Sequence, residues 1–210
     1  MNGTVVVFAK VPQEGKAKSR IALEAGRPAT DRIYAELLSL TARTVKSHDH
    51  FISCDGKNGP GGLKKIFPAA AGFLRQEGGD LGSRLRDALE AVARSRPGPF
   101  CAIGTDCPDL TRSDIDDAFR LVEGGRDVVI GPARDGGYYL IALRDPGCGV
   151  FSAAGWGKKT LLAETLAILE ERKFSHALLA VKGDIDRFDD WKAWKARRRV
   201  PRRSGEDRLP

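Results

Sequence analysis

The loop after the first apolar run of the chain carries an unusual density of positive charge. VVVF (5–8) leads directly into a segment that places Lys10, Lys16, Lys18 and Arg20 within eleven positions. An arginine offers a fork to pairs of oxygen atoms and a lysine offers a compact charge, so this loop suits a polyphosphate. A solvated charge cluster is the simpler alternative, since the G-x-x-x-x-G-K-[ST] spacing of a Walker loop is absent.

Acidic side chains follow two later apolar runs. Asp106 comes directly after the run at 99–105, Asp109 lies in the same loop, and Asp184 and Asp186 follow the last apolar run. Carboxylates in such places suit a hard divalent cation that keeps several waters and shares phosphate oxygens. Asp186 could complete a metal site that Asp106 begins. The alternatives are an ordinary turn at Asp106 and an Asp186 that caps the following helix.

Two glycine-rich loops could hold other parts of a ligand. The run from Asp135 to Tyr138 contains two glycines, which form either a plain hairpin turn or a floor for a flat ligand. The segment RQEGGDLGSRL combines Gln76, which could hydrogen-bond a nucleobase, with a helix start capped by Asp80.

These loops must be positioned by the elements around them, and the elements alternate along the chain. The patterns predict strands at 4–9, 50–54, 99–106, 127–133, 138–143 and 176–182, and helices at 32–47, 80–95, 113–125 and 158–173. The alternation indicates an α/β protein with a mostly parallel sheet, to which the hairpin adds one antiparallel strand. Ligands in such sheets bind beyond the carboxyl ends of the strands, so we expect the charged and glycine-rich loops on one edge.

Charge is unevenly distributed and suggests a division near the C-terminus. The chain has 210 residues and a net charge of +7, and from Lys192 onwards it holds eight basic and two acidic residues. We therefore predict one domain over residues 1–191 and a disordered basic tail over 192–210. The nearly neutral domain does not indicate a nucleic-acid partner, which leaves the tail as the only candidate contact for RNA.

Other features exclude some classes of protein. No apolar run is long enough to span a membrane, and no charged segment precedes the first apolar run as in a secretory signal. The four cysteines lack C-x-x-C spacing, so neither a zinc knuckle nor a redox pair is indicated. We expect a cytoplasmic protein with reduced thiols.

Five segments, taken in order, resemble a known group of proteins. FAKVPQEGKAKSR, GGDLGSRL, GTDCPDL, GPARDGGYYLIAL and DIDRFDD are similar to motifs of a bacterial group in the nucleotide-diphospho-sugar transferase superfamily, of the GT-A glycosyltransferase type. The resemblance covers about residues 3–191. AKSRIA also looks like the loop of 2-phospholactate guanylyltransferases, and the Gln76 segment looks like the base-reading segment of sugar-nucleotide pyrophosphorylases. The resemblance implies a three-layer α/β/α fold with a mostly parallel, mixed sheet.

The resemblance also implies roles for residues of the nucleotide site. Lys16, Lys18 and Arg20 would hold phosphates, with Lys10 in the same loop, and Gln76 and Gly82 would lie near the base. The first loop departs from the group's relatives among pyrophosphorylases, because it lacks their G-G-x-G-x-R motif.

The remaining roles concern the metal and the acceptor. Asp106 matches the superfamily's metal-binding aspartate, and Asp186 is the best match to a second ligand of Mg²⁺ or Mn²⁺, with Asp184 and Asp109 as alternatives. The sugar or acceptor pocket would be formed by Asp135, Gly136, Gly137 and Tyr138. The motif at Asp106 is D-C-P-D rather than D-x-D, and residues 147–157 replace a Trp-Ser-Thr of relatives, which implies an altered acceptor pocket.

Two reactions and one non-enzymatic function fit this picture. In nucleotidyl transfer an oxygen attacks the α-phosphorus of a nucleoside triphosphate, and the basic loop favours this reaction because pyrophosphate leaves. In glycosyl transfer a hydroxyl of a small acceptor attacks the sugar of a nucleotide-sugar, for which Asp135 is the candidate base. The family resemblance favours this second reaction, so the choice between the two stays open. The third possibility is a nucleotide- or RNA-associated binding protein that uses the basic tail.

Overall fold

The described part of the chain comprises residues 3–12, 17–56, 59–77 and 79–199 of a computed structural model. Seven strands and seven α-helices alternate along it. The strands are β1 (Thr4–Lys10), β2 (Asp49–Asp55), β3 (Gly72–Arg75), β4 (Phe100–Ile103), β5 (Val128–Pro132), β6 (Tyr138–Leu143) and β7 (His176–Leu178). The helices are α1 (Ser19–Ala25), α2 (Arg27–Val45), α3 (Leu63–Ile66), α4 (Leu81–Ala93), α5 (Arg112–Glu123), α6 (Leu161–Glu171) and α7 (Phe188–Arg199).

All seven strands form one sheet in the order β3-β2-β1-β4-β6-β5-β7. Only β6 runs against the others, because it pairs antiparallel with both β4 and β5 while the remaining pairs are parallel. The predicted α/β fold with a mostly parallel, mixed sheet is therefore confirmed, and the antiparallel strand comes from the predicted hairpin.

The sheet is buried on both faces, as its continuous apolar strands predict. Val5 and Val7 of β1 point into a core that includes Leu38 of α2, whereas Val6 points into a second core that includes Leu89 of α4. Helices α2 and α5 cover the first face and helices α4 and α6 cover the second. This gives the three layers that the resemblance implied.

Local sequence signals account for several element boundaries. The Asp80 carboxylate accepts a hydrogen bond from the Ser83 backbone N–H at 2.7 Å, which begins α4 where the sequence predicted. Thr111 and Asp114 form a reciprocal capping box that begins α5. The segment 62–76, which the pattern left unassigned, contains the short helix α3 and the edge strand β3.

The C-terminal segment differs from the prediction. Helix α7 continues through residues 192–199, which the charge count assigned to a disordered tail. Trp194 is 1% exposed and packs with Ile21 and Leu37 in a third apolar cluster. The Lys195 ammonium also lies 2.5 Å from the Glu36 carboxylate. The ordered domain thus extends through Arg199 rather than ending at residue 191, because two tryptophans supply the apolar side of a helix that is otherwise strongly basic. Residues 200–210 lie outside the described part of the chain, and for them the tail stays a prediction.

Within the described residues, none of the helices is long and apolar enough to cross a membrane. The four cysteines are all unpaired.

Candidate functional site

The side chain of Lys18 lies at the centre of the site, although it comes from the loop between β1 and α1. Its backbone has φ 53° and ψ 48°, the left-handed conformation that residues with a Cβ adopt only at a cost. The side chain is only 6% exposed. This conformation directs a buried ammonium at the acidic loops that follow β4 and β7.

The Lys18 ammonium joins the two aspartates that the sequence singled out for a metal. Its Nζ lies 2.8 Å from Asp106 Oδ2 and 3.7 Å from Asp186 Oδ1, and it also donates to the Ile185 carbonyl. Because they share one nitrogen, the two carboxylate oxygens cannot be farther apart than the sum of those distances. The predicted juxtaposition of Asp106 with Asp186 is present in the structure.

The strands that lead to these aspartates are not neighbours, since β6 and β5 separate β4 from β7. The chain after β7 instead returns along the sheet edge, where the Ile185 N–H donates to the Asp106 carbonyl at 2.8 Å. This backbone hydrogen bond brings the two loops together although the strands before them are not adjacent.

Arg20 and Asp186 extend this charged cluster towards solvent. The Arg20 Nη1 lies 3.4 Å from Asp186 Oδ2, and the arginine side chain is 66% exposed. Asp186 does not cap α7, because the N–H groups of Asp186 and Arg187 donate to Asp190 and that of Phe188 donates to Glu24. The Asp186 carboxylate thus faces the two basic side chains. Lys16, the other residue of this loop with a predicted phosphate role, lies outside the described residues.

At Asp184, burial and neighbouring charge both disfavour the ionised carboxylate. Burial and, to a lesser extent, the nearby carboxylates of Asp106, Asp135 and Asp186 together raise its pKa to about 7, against the smaller opposing effect of Lys18. The sequence left Asp184 as an alternative metal ligand. In the structure it is the acid on which the repulsion of the other three converges.

Asp109, the other alternative ligand, is engaged elsewhere. Its Oδ1 accepts a hydrogen bond from the Trp194 indole at 2.8 Å, and its Oδ2 lies 3.2 Å from the Arg197 guanidinium. Both oxygens therefore hold α7 against the turn that follows β4. The carboxylate of Asp109 serves the packing of the last helix, and the metal role fits Asp106 with Asp186 better.

One cavity, of about 330 Å³, lies between the first loop and α4, and we call it the basic cavity. Lys10, Lys18 and Gln76 line it together with Asp106. The Gln76 side-chain amide donates to the Ser53 carbonyl at 2.8 Å, which fixes the amide while its oxygen can still accept a hydrogen bond. The structure thus brings Lys10, Lys18 and Gln76 of the predicted phosphate and base residues to one cavity, whereas Arg20 lines the neighbouring cavity and Gly82 lines neither.

Gly82 has a packing role in the structure. A Cβ at this position would lie 2.3 Å from the Trp156 indole nitrogen and 2.6 Å from the Phe151 carbonyl. Gly82 lines neither of the cavities at this sheet edge. Its lack of a side chain lets the loop around Trp156 lie against the first turn of α4.

A second cavity, of about 350 Å³, adjoins the first, and we call it the aromatic cavity. It shares Phe8, Leu81 and Gly104 with the basic cavity, so the two are contiguous. Its other lining residues include Arg20, Asp135, Gly137, Tyr138, Trp156, Lys158, Asp184 and Asp186. Apolar rings and charged groups therefore face one space beside the Lys18 cluster.

The hairpin from Asp135 to Tyr138 forms one wall of the aromatic cavity. Asp135 accepts a hydrogen bond from the Gly137 N–H at 2.9 Å, and Gly136 has φ 91°. A Cβ on Gly136 would lie 2.0 Å from the Lys159 carbonyl oxygen, so the hairpin packs directly against the loop before α6. The segment is thus a hairpin turn, and Asp135, Gly137 and Tyr138 also line the cavity, whereas Gly136 does not. A flat ligand against this segment stays a prediction.

The aromatic pair Tyr138 and Trp156 is a feature that only the structure reveals. The rings meet edge to face at 5.9 Å, and neither the Tyr138 hydroxyl nor the Trp156 indole nitrogen has a hydrogen-bond partner of good geometry among the described residues. The Thr165 hydroxyl lies near Tyr138 but donates to Leu161. Trp156 lies in the glycine-rich residues 147–157, whose sequence differs from that of the relatives. This difference was the one sign in the sequence that the pocket is altered here.

The residues present fit a divalent cation that takes two ligands from the protein and the others from a bound phosphate and water. Asp106 and Asp186 provide hard oxygen donors around a position that already holds positive charge. In the described part of the chain, no set of three or more His, Cys, Asp or Glu side chains is arranged to hold a metal. Two carboxylates completed by phosphate oxygens and water would match the preference of Mg²⁺ for few protein ligands.

Solved structures share this fold over nearly the whole chain. A protein from Desulfovibrio desulfuricans G20, described as a candidate nucleotide-diphospho-sugar transferase, is 25% identical with a TM-score of 0.84, covering 98% of this chain and 92% of its own. The 4-diphosphocytidyl-2C-methyl-D-erythritol synthase of Anaerococcus prevotii is 11% identical with a TM-score of 0.63, covering 95% and 97%. Glucosyl-3-phosphoglycerate synthase of Mycobacterium tuberculosis is 11% identical with a TM-score of 0.54, covering 93% and 76%.

The likeness to the first of these structures over nearly the whole chain confirms the resemblance to the nucleotide-diphospho-sugar transferase fold, and the other two share that fold. No curated protein sequence matches the chain. A family does match, over residues 38–158. The chain therefore belongs to the family described as uncharacterized protein conserved in bacteria (DUF2064).

Proposed function

We propose that this protein is a metal-dependent transferase that acts on an activated nucleotide, either a nucleoside triphosphate or a nucleotide-sugar. The observation that carries the proposal is the buried Lys18 ammonium between Asp106 and Asp186, at the rim of the basic cavity. A cation-binding pair of acids beside a basic cavity is an arrangement that suits the phosphates of a nucleotide. A neighbour of the same fold is complexed with Mn²⁺ and uridine diphosphate.

In this proposal the nucleotide lies in the basic cavity. Lys10, Lys16, Lys18 and Arg20 contact its phosphates, and Gln76 hydrogen-bonds the base. Mg²⁺ or Mn²⁺ held by Asp106 and Asp186 would neutralise charge on the phosphates when bound. Catalysis then depends mainly on positioning and on electrostatic stabilisation of the leaving group.

The aromatic cavity receives the group that reacts with the nucleotide. In glycosyl transfer it would hold the sugar and a small acceptor, with Asp135 in place to accept the acceptor's proton. In nucleotidyl transfer it would hold the phosphate or acid that attacks the α-phosphorus, with pyrophosphate leaving along the basic loop. Both reactions use the same phosphate and metal residues, and the basic loop favours nucleotidyl transfer.

The test is a ligand panel followed by product analysis. The protein is melted with Mg²⁺ or Mn²⁺ and each of the common nucleoside triphosphates and nucleotide-sugars, because a ligand that binds only the native state raises the melting temperature. The best ligand is then incubated with small acceptors, and products are separated by chromatography. Released pyrophosphate identifies nucleotidyl transfer, and released nucleoside diphosphate identifies glycosyl transfer.

Lys18→Ala tests the phosphate role, and Lys173→Ala provides a matched control. Both lysines have positive φ, at 53° and 58°, so both substitutions remove a lysine from the same strained backbone conformation. Loss of a charge-assisted contact costs about 1.5–3 kcal/mol, so Lys18→Ala should weaken nucleotide binding about tenfold or more while nucleoside binding is kept. Equal weakening for nucleoside and nucleotide would refute the phosphate role.

A nucleotide-binding protein without catalysis is the remaining alternative. It would bind one member of the panel tightly with no turnover of any acceptor. If removal of residues 200–210 also abolished binding to RNA, the basic tail would be the functional surface and the transferase proposal would fail.

A further inference from the structure

One ammonium in this structure belongs to two sites at once. Lys18 Nζ contacts the candidate metal ligands Asp106 and Asp186, and the same side chain lines the basic cavity. We propose that Lys18 is a tethered counter-ion that occupies the metal position until nucleotide phosphates draw it away, so that the divalent cation binds strongly only together with the nucleotide. This inference rests on the proposed function.

The Lys18 side chain is held firmly in this position. Its nitrogen donates to the Ile185 carbonyl and lies 2.8 Å from Asp106 Oδ2, and the Asp186 carboxylate faces it at 3.7 Å. The side chain is almost completely buried, and the left-handed backbone at its base aims it at the acids. A solvated lysine would show neither property.

A divalent ion and this ammonium cannot lie between the Asp106 and Asp186 carboxylates together in this geometry. A magnesium ion bonds a carboxylate oxygen at about 2.0–2.1 Å. The ammonium nitrogen already lies 2.8 Å from Asp106 Oδ2. An ion bound to that oxygen on the side that faces Asp186 would lie next to the ammonium, and the two positive charges would repel each other. Lys18 must therefore move before the ion binds.

The basic cavity, which the Lys18 side chain already lines, is a second position that the ammonium can take. A lysine reaches through a flexible four-carbon stem, so the ammonium can swing while the backbone stays where it is. Phosphate oxygens in the cavity would replace the carboxylates as its partners, and the freed acids would accept the divalent ion. Such coupling is reciprocal, so the cation must strengthen nucleotide binding as much as the nucleotide strengthens cation binding.

The proposal predicts an unusual response to removing a positive charge. Free Mn²⁺ is followed by electron paramagnetic resonance while it is titrated into the nucleotide-free protein. Lys18→Gln should bind Mn²⁺ about tenfold or more tightly than the wild type, whereas Lys18→Arg, which keeps the charge, should bind as weakly as the wild type. Lys173→Gln is the matched control and should behave like the wild type.

A second measurement tests the coupling. The titration is repeated with inorganic tripolyphosphate, against a blank without protein that corrects for Mn²⁺ held by the polyphosphate in solution. The wild type should gain Mn²⁺ affinity and Lys18→Gln should gain little, because its site is already open. A gain of equal size in both proteins would overturn the inference.

The outcomes separate this inference from the proposed function. If the wild type and Lys18→Gln bind Mn²⁺ equally well, and Asp106→Asn abolishes binding in both, the metal site stands and the counter-ion role is overturned. If neither protein binds Mn²⁺ with or without tripolyphosphate, the metal site and the proposed function fail together. Lys18→Ala serves as a second neutral variant if Lys18→Gln does not fold, as judged by circular dichroism.

Discussion

The crowding of carboxylates around Asp184 should appear as a pH-dependent cost to stability. Burial, and then the nearby Asp106, Asp135 and Asp186, raise the pKa of Asp184 from 3.8 to about 7. A raised pKa in the folded state contributes stability that is fully present below the unfolded pKa and is lost as the pH rises through the folded pKa. The wild type should therefore lose stability between about pH 4 and pH 7 through this group.

Asp184→Asn removes that loss because the amide does not ionise. A pKa raised from 3.8 to about 7 corresponds to an upper limit of roughly 4 kcal/mol. Because relaxation of the protein and entry of water lower the cost of a buried charge, we expect about half of that, or ~2 kcal/mol. Asp184→Asn should thus match the wild type near pH 4 and exceed its unfolding free energy at pH 8, as measured by urea denaturation.

Asp114 offers a control whose sign is opposite. Burial opposes ionisation of Asp114, but hydrogen bonds from Lys182 and Thr111 outweigh it and lower the pKa. Its contribution is present above the unfolded pKa and is lost as the pH falls, so Asp114→Asn should destabilise the protein at pH 8 and less at low pH. If Asp184→Asn shows no gain at pH 8 over pH 4, the carboxylate is not strained and our account of the cluster is refuted.

Three further predictions concern packing around the site. Gly136→Ala should lower the melting temperature by several degrees, because the residue has a φ of 91° and its Cβ would lie 2.0 Å from a backbone carbonyl oxygen. An unchanged melting temperature in calorimetry would contradict the hairpin geometry. Gly82→Ala should displace Trp156, whose indole nitrogen lies 2.3 Å from the added Cβ, and its fluorescence spectrum reports the change. Trp194→Phe should cost about 1–3 kcal/mol because it leaves an Asp109 oxygen without its donor, whereas deletion of residues 200–210 should leave the melting temperature unchanged.

The sequence predicts the sheet and its edge well because those features depend on short patterns. Apolar runs followed by polar loops identified β1 and β4, and the rule for parallel sheets placed their loops on one edge. Asp80 was predicted as a cap from its place before an amphipathic helix, and the structure confirms it. Such signals extend over a few residues and need no knowledge of the rest of the chain.

The contacts of Lys18 could not be predicted in the same way. The sequence marks the residue as one of several basic side chains in a loop, and nothing local indicates that its side chain is buried and its backbone left-handed. Its partner Ile185 is 167 residues away. Contacts of this kind depend on how the chain after β7 returns to β4, which is a tertiary property.

The last helix shows how composition can mislead. The basic run after Lys192 resembles a disordered tail because charge dominates the count, yet Trp191 and Trp194 are one helical turn apart and stack with ring centroids at 5.1 Å. Trp194 is buried against α1 and α2, and Glu24 of α1 accepts a hydrogen bond from the first N–H of α7. The spacing of two tryptophans was the signal, and it carried less weight than the surrounding arginines.

The return of the chain after β7 to its first loop has a consequence for synthesis. Lys18 is made long before Ile185 and Asp186, which hold its ammonium, because Ile185 lies 167 residues further along the chain. A nascent or prematurely terminated chain could build the central strands and still lack half of its charge cluster. The site is therefore completed only once these residues have been made, so that a truncated product, even a folded one, would lack the second candidate metal ligand and the carbonyl to which Lys18 donates.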